Sequence, residues 1–251
     1  MSTQGLERDL EDLLLRVVPG LAGQWQGATS EDISQIEQLV ERPLPPFYHW
    51  FLARMGQSMG PLAYPRLDFA ARRVLTCYAE KLVVPHSRFL FIGYSSDEMM
   101  PLHLFYDLEF PARVDARVTK RHARGGELHD QFETFREMLA WGALLNFRVN
   151  KMPQRGRALL TGDDPDILQH LDPVMNDLGF TKPVPTGPCC GLYERRDAVM
   201  VCNKTPRDEP EAIMVVKLGG SDSGTLRRIL GTVAAESSLR VKMREWEPPL
   251  T

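Results

Sequence analysis

The chain has 251 residues, of which 43% are hydrophobic and 25% are charged, and its formal net charge at pH 7 is −3. This composition is typical of an ordinary folded protein, and it excludes a disordered chain, a collagen-like chain and a coiled-coil rod. The mild charge also argues against a general nucleic-acid binder, which usually carries a basic patch and a high isoelectric point.

The length of the chain favours two domains over one or three. Its longest apolar clusters, such as residues 13–15 and 213–216, fall far short of the roughly 18 residues that a membrane span needs. The first residues lack the basic-then-apolar pattern of a signal peptide, and the 4 cysteines are too few for a disulfide scaffold. We therefore expect a cytoplasmic protein that contacts neither a membrane nor nucleic acid.

Three helices are predicted at the start of the chain. Apolar residues recur at helical spacing over residues 6–17, and Pro19 and Gly20 end this first helix. The second helix begins near Thr29 or Ser30, either of which can cap its first turn. The third covers residues 47–55, after prolines that break the chain.

The hydrophobic period then changes from helical to extended. Residues 89–94 and 102–107 are apolar and aromatic, and they predict two antiparallel strands joined by a loop. Residues 114–118 form a weaker third strand. Apolar spacing over residues 132–145 then predicts a closing helix.

The second half of the chain is predicted to be a separate α+β domain. The basic segment 151–157 contains Pro and Gly and little to bury, so we place a boundary there between domains 1–151 and 152–251. The elements that follow are predicted in the order β-α-β-β-β-α-β. This order suggests an antiparallel sheet with both helices on one face, an elaboration of the ferredoxin-like fold.

Few residues in the chain suggest bound metal, cofactor or catalysis. Cys189 and Cys190 are adjacent on a predicted strand, where their side chains point to opposite faces, so we expect inert buried thiols. No histidine pair has metal-ligand spacing. The glycine-rich turn 219–224 precedes a helix but lacks the phosphate-binding lysine, and Asp222 would repel an anion there. We predict no metal, no cofactor and a simple helix cap at that turn.

The loop after the first predicted strand leaves two interpretations open. Ser95-Ser96-Asp97-Glu98-Met99-Met100 combines two acidic groups with two methionines. In one interpretation it is a solvated hairpin loop whose methionines fold inward. In the other it meets a protein partner, because methionine adapts to irregular surfaces and carboxylates complement a basic patch.

A spaced set of residues near the start of the chain resembles the SUKH superfamily. The family opening is similar to a "GAT-x-x-x-I-x-x-x-E" helix, followed by "LP-x-x-Y-x-x-F/L-L" and a turn ending in glycine. The matching residues are Trp25, Gly27-Ala28-Thr29, Asp32-Ile33, Glu37, Leu44-Pro45, Tyr48, Phe51-Leu52 and Met55-Gly56. Later elements also fit, so the resemblance covers about residues 25–145. The chain departs from the family at Met55, where asparagine is common, and residues 152–251 lie outside the match.

The resemblance implies an α+β fold in which helices flank a mostly antiparallel sheet. It also implies a function: bacterial members are immunity proteins that bind and neutralise a cognate toxin. Such toxins are often nucleases or deaminases that secretion systems deliver to neighbouring cells. Some eukaryotic relatives are instead scaffold or regulatory modules.

The leading hypothesis is therefore a non-catalytic immunity protein that acts by protein–protein contact. The candidate partner-binding residues are Trp25, Tyr94, Asp97 and Glu98, although Trp25 is equally suited to the core. A second hypothesis is a scaffold or regulatory module without a toxin. A third is an enzyme whose site lies in the C-terminal domain, near the glycine-rich turn or Cys189.

Overall fold

The structure is a computed structural model that describes residues 3–112, 114–206 and 212–248. It divides into two compact units, Met1–Met138 and Leu139–Thr251. The described residues form seven α-helices and two five-stranded antiparallel sheets, so the chain is an α+β protein. No described helix has both the length and the apolar character that crossing a membrane requires.

The first unit consists of three helices, a sheet with a further helix inserted after its first strand, and the start of a closing helix. In chain order, the elements are α1 (Thr3–Val17), α2 (Ser30–Val40), α3 (Pro46–Met55), β1 (Leu67–Asp68), α4 (Ala71–Ala79), β2 (Phe89–Ser95), β3 (Leu102–Ala112), β4 (Asp115–His122), β5 (His129–Phe132) and α5 (Phe135–Phe147). The strands lie side by side in the order of the sequence, β1-β2-β3-β4-β5, and every neighbouring pair is antiparallel.

The predicted start of α2 is confirmed at atomic detail. Thr29 is its N-cap residue, and the backbone N–H of Asp32 donates to the Thr29 hydroxyl at 3.1 Å. This bond satisfies one of the amide groups that the first turn of a helix leaves without a partner. The other two predicted N-terminal helices, α1 and α3, are also confirmed.

An aromatic core joins α3 and α5 to one face of the first sheet. The ring of Phe135 lies 4.9 Å from that of Phe51 and 5.3 Å from that of Phe69, between ring centroids. On the same side, Tyr48 meets Tyr106 of β3 edge to face at 5.7 Å. These rings are almost fully buried, so they supply much of the apolar area that stabilises this unit.

Three elements of the first unit differ from the sequence prediction. Helix α4 and strand β1 lie in a stretch for which we predicted no element, and Phe132 ends strand β5 instead of beginning a helix. The closing helix starts only at Phe135 because the Thr134 hydroxyl accepts a hydrogen bond from the Glu137 backbone N–H at 3.1 Å. That contact caps the first turn and fixes where the helix begins.

The second unit has the predicted element order. After the last part of α5, it contains β6 (Gln154–Gly162), α6 (Ile167–Asp177), β7 (Cys190–Glu194), β8 (Ala198–Asn203), β9 (Ala212–Gly220), α7 (Ser223–Glu236) and β10 (Arg240–Glu247). The strands lie in the order β10-β6-β9-β8-β7. Both helices contribute to one buried cluster with the sheet, which includes Leu171 of α6, Ile229 of α7 and Met214 of β9.

The second half of the basic segment 151–157, where we placed the domain boundary, is part of a strand. Residues 154–157 begin β6, in which Ala158 is buried while Arg157 is exposed on the opposite face. The residues on the buried face, Gly156 and Ala158, are small, so the alternation carries little apolar signal in the sequence. The division between the two compact units lies inside α5, ahead of the boundary expected after residue 151.

Candidate partner-binding surface

A row of stacked side chains crosses the end of the first sheet. Arg73 of α4 lies over the ring of Tyr94 in β2, with 3.7 Å between the guanidinium carbon and the ring centroid. The ring of Tyr94 stacks on that of His103 in β3, with centroids 5.1 Å apart. His103 is in register with Arg121 of β4. The order across the sheet is therefore Arg73, Tyr94, His103 and Arg121.

The same sheet face continues with phenylalanines beneath arginines. The guanidinium of Arg121 lies 4.1 Å from the ring centroid of Phe89 and 5.3 Å from that of Phe105. Arg117 lies 3.8 Å from the ring of Phe110, which is itself 43% exposed. Such contacts attract a cation to an aromatic face and hold its side chain in one position.

The arginines on this face are Arg73, Arg88, Arg117 and Arg121. Two of the four are already paired with carboxylates. Arg88 donates to both oxygens of the buried Asp107, at 2.8 and 2.7 Å, and also contacts Glu109 at 2.7 Å. The hydrogen bonds to Asp107 raise the pKa of the Arg88 guanidinium. Arg117 pairs with Asp130 at 3.4 Å.

Arg73 and Arg121 differ from these two. Within residues 3–112, 114–206 and 212–248, neither forms an ion pair, and the buried Nε of Arg121 has no hydrogen-bond partner. Burial, together with the neighbouring Arg88, lowers the pKa of the Arg121 guanidinium. Each therefore presents a positive charge that the described protein does not neutralise directly.

A loop of residues 96–101, which we call the methionine loop, lies at the end of β2 beside this row. The carboxylate of Asp97 accepts hydrogen bonds from the backbone N–H groups of Met99 and Met100, at 3.0 and 3.2 Å. It also pairs with Arg66 at 3.2 Å. The amide hydrogen bonds, more than Arg66, lower the pKa of the Asp97 carboxyl group.

The two methionines point outward. Met99 is 92% exposed and Met100 is 64% exposed. This result contradicts the inward-folded methionines of the first interpretation, because such side chains would be buried. The partner contact of the second interpretation stays a prediction. Asp97 shapes the backbone of the loop, which presents two adaptable apolar side chains to the surroundings.

The structure brings together three of the four candidate residues that we predicted. Tyr94 is half-buried in the stacked row, Asp97 holds the methionine loop, and Glu98 is exposed at its tip. Trp25 lies elsewhere, half-buried in the connection between α1 and α2. No hydrogen bond, ion pair or ring contact joins Trp25 to the methionine loop within the described part of the chain.

We refer to these residues together as the arginine–aromatic surface. It comprises the methionine loop, the side chains of Arg73, Arg88, Tyr94, Phe110, Arg117 and Arg121, and the buried rings of Phe89, His103 and Phe105 beneath them. An open cleft of about 410 Å³ borders it at Arg66, Leu67, Asp68, Arg73, Tyr94 and Ser96. Sequence reasoning missed its arginines, although Arg117 and Arg121 flank the buried Val118 and Thr119 in a partly alternating pattern.

Of the two places considered for an enzyme site, the glycine-rich turn caps a helix and Cys189 is buried. Asp222 caps α7 as predicted, with the Thr225 backbone N–H donating to its carboxylate at 2.8 Å. All four cysteines are buried, and burial raises the pKa of the Cys202 thiol to about 12. A thiol with such a pKa stays protonated near neutral pH and is a poor nucleophile. Among the described residues, no group of three or more His, Cys, Asp or Glu side chains is arranged to hold a metal ion.

Two comparisons with known proteins give no match for this chain. No protein-family model matches it. A search of curated proteins also finds no match.

Proposed function

We propose that the chain is a cytoplasmic immunity protein that binds a cognate bacterial toxin and neutralises it by protein–protein contact. In this proposal, residues 25–145 form a SUKH-like domain, and the toxin is an effector that a secretion system delivers during competition between bacteria. The protein performs no bond-making of its own. An interface of roughly 1,600 Å² would suffice for a specific complex.

The proposal rests on one observation, the outward position of Met99 and Met100. Both apolar side chains are exposed to solvent. Hydrogen bonds from the loop backbone to the Asp97 carboxylate fix the shape of the loop that carries them. Exposed apolar groups beside aromatic residues and arginine mark protein-binding surfaces, and a pre-shaped loop loses little entropy when it binds. The loop therefore suits a protein partner better than a small molecule.

The layout of each unit is compatible with the folds in the proposal. In the first unit, helices precede an antiparallel sheet and a further helix closes it, as the SUKH resemblance implies. In the second, β6 lies between β9 and β10, and β8 follows β9. This split β-α-β arrangement supports the proposal of a ferredoxin-like domain, with β7 as an additional edge strand.

Co-expression tests this function directly. We would express the protein together with the product of a toxin-like gene beside its own gene, in a host that this product arrests. We expect growth to resume and the two proteins to purify as a complex. Persistent arrest despite good soluble expression, with no complex, would contradict the proposal.

The methionine loop gives a sharper version of this experiment. Replacing both Met99→Asp and Met100→Asp would place two carboxylates at the expected contact, where their desolvation costs free energy without a partner. We expect the affinity for the toxin to fall at least about tenfold, measured by calorimetry on purified proteins.

Val84→Asp is the matched control for the loop variant. Val84 is also apolar and 63% exposed, but it precedes the first residue of β2, whereas the loop follows the last. We expect this variant to protect as well as the wild type. Equal losses in both variants would show that the loop has no special role in binding.

A further inference from the structure

Arg73 and Arg121 are the charged groups of the arginine–aromatic surface that have no carboxylate partner in the described chain. Each is half-buried and stacked on an aromatic ring, which restricts its motion before any partner arrives. A guanidinium that stacks by its flat face keeps the N–H donors along its edge available. Those donors match the two oxygens of a carboxylate.

The spacing of the two arginines sets the kind of ligand that they fit. Arg73 lies over Tyr94 near the end of β2, whereas the guanidinium of Arg121 lies over Phe89, the first residue of the same strand. Five residues of an extended strand span roughly 16 Å, so one carboxylate cannot reach both guanidinium groups. A partner must supply two separate acidic groups, with the Tyr94–His103 stack between them.

The neighbouring charges favour a protein over a nucleic acid as this partner. Asp107, Glu109 and Asp130 are on the same sheet face, and Glu98 is exposed beside it. Because the first three are paired with Arg88 or Arg117, the described part of this face keeps only two cations without a carboxylate partner, too few for a continuous phosphate backbone, which needs a basic patch. A protein surface can instead place single carboxylates at the two arginines and apolar groups at the methionine loop.

We propose that Arg73 and Arg121 bind two acidic side chains of the partner protein, on either side of the Tyr94–His103 stack. This inference rests on the proposed function and adds to it the chemistry of the partner: its contact surface is acidic around an apolar centre. The two arginines act as anchors that fix the orientation of the complex. The methionine loop supplies the apolar contact.

Single charge-removing variants test this inference. Arg73→Gln and Arg121→Gln would be purified, checked for native secondary structure and thermal unfolding, and titrated with the toxin-like product of the adjacent gene. We expect each variant to bind roughly tenfold more weakly than the wild type. This difference in affinity should shrink at high salt, where charge pairs contribute less. Arg121→Lys keeps the charge but loses the planar fork, so we expect an intermediate affinity.

Arg72→Gln and Arg124→Gln are matched controls that remove the same charge. Arg72 is next to Arg73 on α4 but extends into solvent, and Arg124 is exposed after β4. We expect both to bind within about twofold of the wild type.

The outcomes separate the inference from the proposed function. If the wild type forms no complex, the proposed function fails. If it forms the complex and all four glutamine variants bind equally well, the inference is overturned while the proposed function stands. Arginine-dependent formation of a homodimer, or arginine-dependent binding of single-stranded DNA without toxin binding, would also overturn the inference.

Discussion

Asp115 is a buried carboxyl group at the start of β4 that joins the first sheet to α5. Its carboxylate accepts hydrogen bonds from the backbone N–H groups of Ala116 and Arg136, both at 2.9 Å. Burial raises its pKa from 3.8 to about 6, despite the opposing effect of these amides. The hydrogen bonds of Asp115 hold β4 to α5, but near neutral pH the ionised carboxylate is buried, which lowers the free energy of unfolding.

This raised pKa predicts a pH-dependent stability. Between pH 3.8 and about 6, the folded protein holds a proton at Asp115 that the unfolded chain has released. The free energy of unfolding therefore falls as the pH rises through this interval. An Asp115→Asn variant lacks this contribution. We expect the stability of the wild type relative to the variant to decrease by on the order of 3 kcal/mol from about pH 4 to about pH 7.

Urea unfolding of both proteins across this pH range measures the effect. Glu98→Gln removes a carboxylate at an exposed position and serves as the control. A constant difference between wild type and Asp115→Asn at every pH would show that folding does not raise the pKa of Asp115.

The Gly27-Ala28-Thr29 motif shows how three consecutive residues fix the junction between α2 and α3. The backbone N–H of Ala28 donates to the Leu52 carbonyl at 2.8 Å, and Thr29 caps α2. A Cβ at Gly27 would lie 2.1 Å from the carbonyl oxygen of Ala53. Only glycine allows the backbone to approach α3 so closely. Each residue of the motif therefore has a structural reason that is independent of any partner.

Gly27→Ala should consequently destabilise the protein. The added methyl group must displace the backbone of α3, so we expect a loss of about 1–3 kcal/mol in the free energy of unfolding, measured by chemical denaturation. Gly23→Ala is the control, because a Cβ there would meet nothing within 4 Å. We expect its effect to stay within about 0.5 kcal/mol. Similar effects at both positions would argue against the close approach.

Elements with strong hydrophobic periodicity could be predicted from the sequence, whereas short or mixed elements could not. Helix α2 and strand β2 carry clear patterns and were predicted within a residue or two. Strand β5 has only four residues and α4 only nine, so each repeats its pattern few times. Pattern reasoning depends on several turns or alternations, and these elements provide too few.

The candidate site could be predicted only in part, for a related reason. Tyr94, Asp97 and Glu98 are close in sequence, so one loop revealed them together. Arg73 and Arg121 are on α4 and β4, and only the register of the sheet brings them to the same row. Cross-strand register follows from tertiary packing, which a single sequence does not display. The net charge of −3 likewise hid a local pair of unneutralised cations.

The two units have separate buried cores, and the arginine–aromatic surface belongs entirely to the first. Binding should therefore tolerate damage to the core of the second. Leu171 of α6 is fully buried in that core, and Leu171→Ala removes packing worth about 2–5 kcal/mol. We expect this variant to retain toxin affinity within about twofold, while hydrogen exchange shows faster opening of residues 154–247 only.

Phe51→Ala provides the opposite comparison, because Phe51 is fully buried in the aromatic core beneath the first sheet. We expect it to accelerate hydrogen exchange in β2 and β3 and to weaken toxin binding strongly, since the stacked row depends on those strands. If Leu171→Ala weakened binding as much as Phe51→Ala while exchange in β2 and β3 stayed slow, the second unit would have to contact the toxin itself. The protein–protein contact would then extend beyond the arginine–aromatic surface, and the acidic partner groups expected there would account for only part of the affinity.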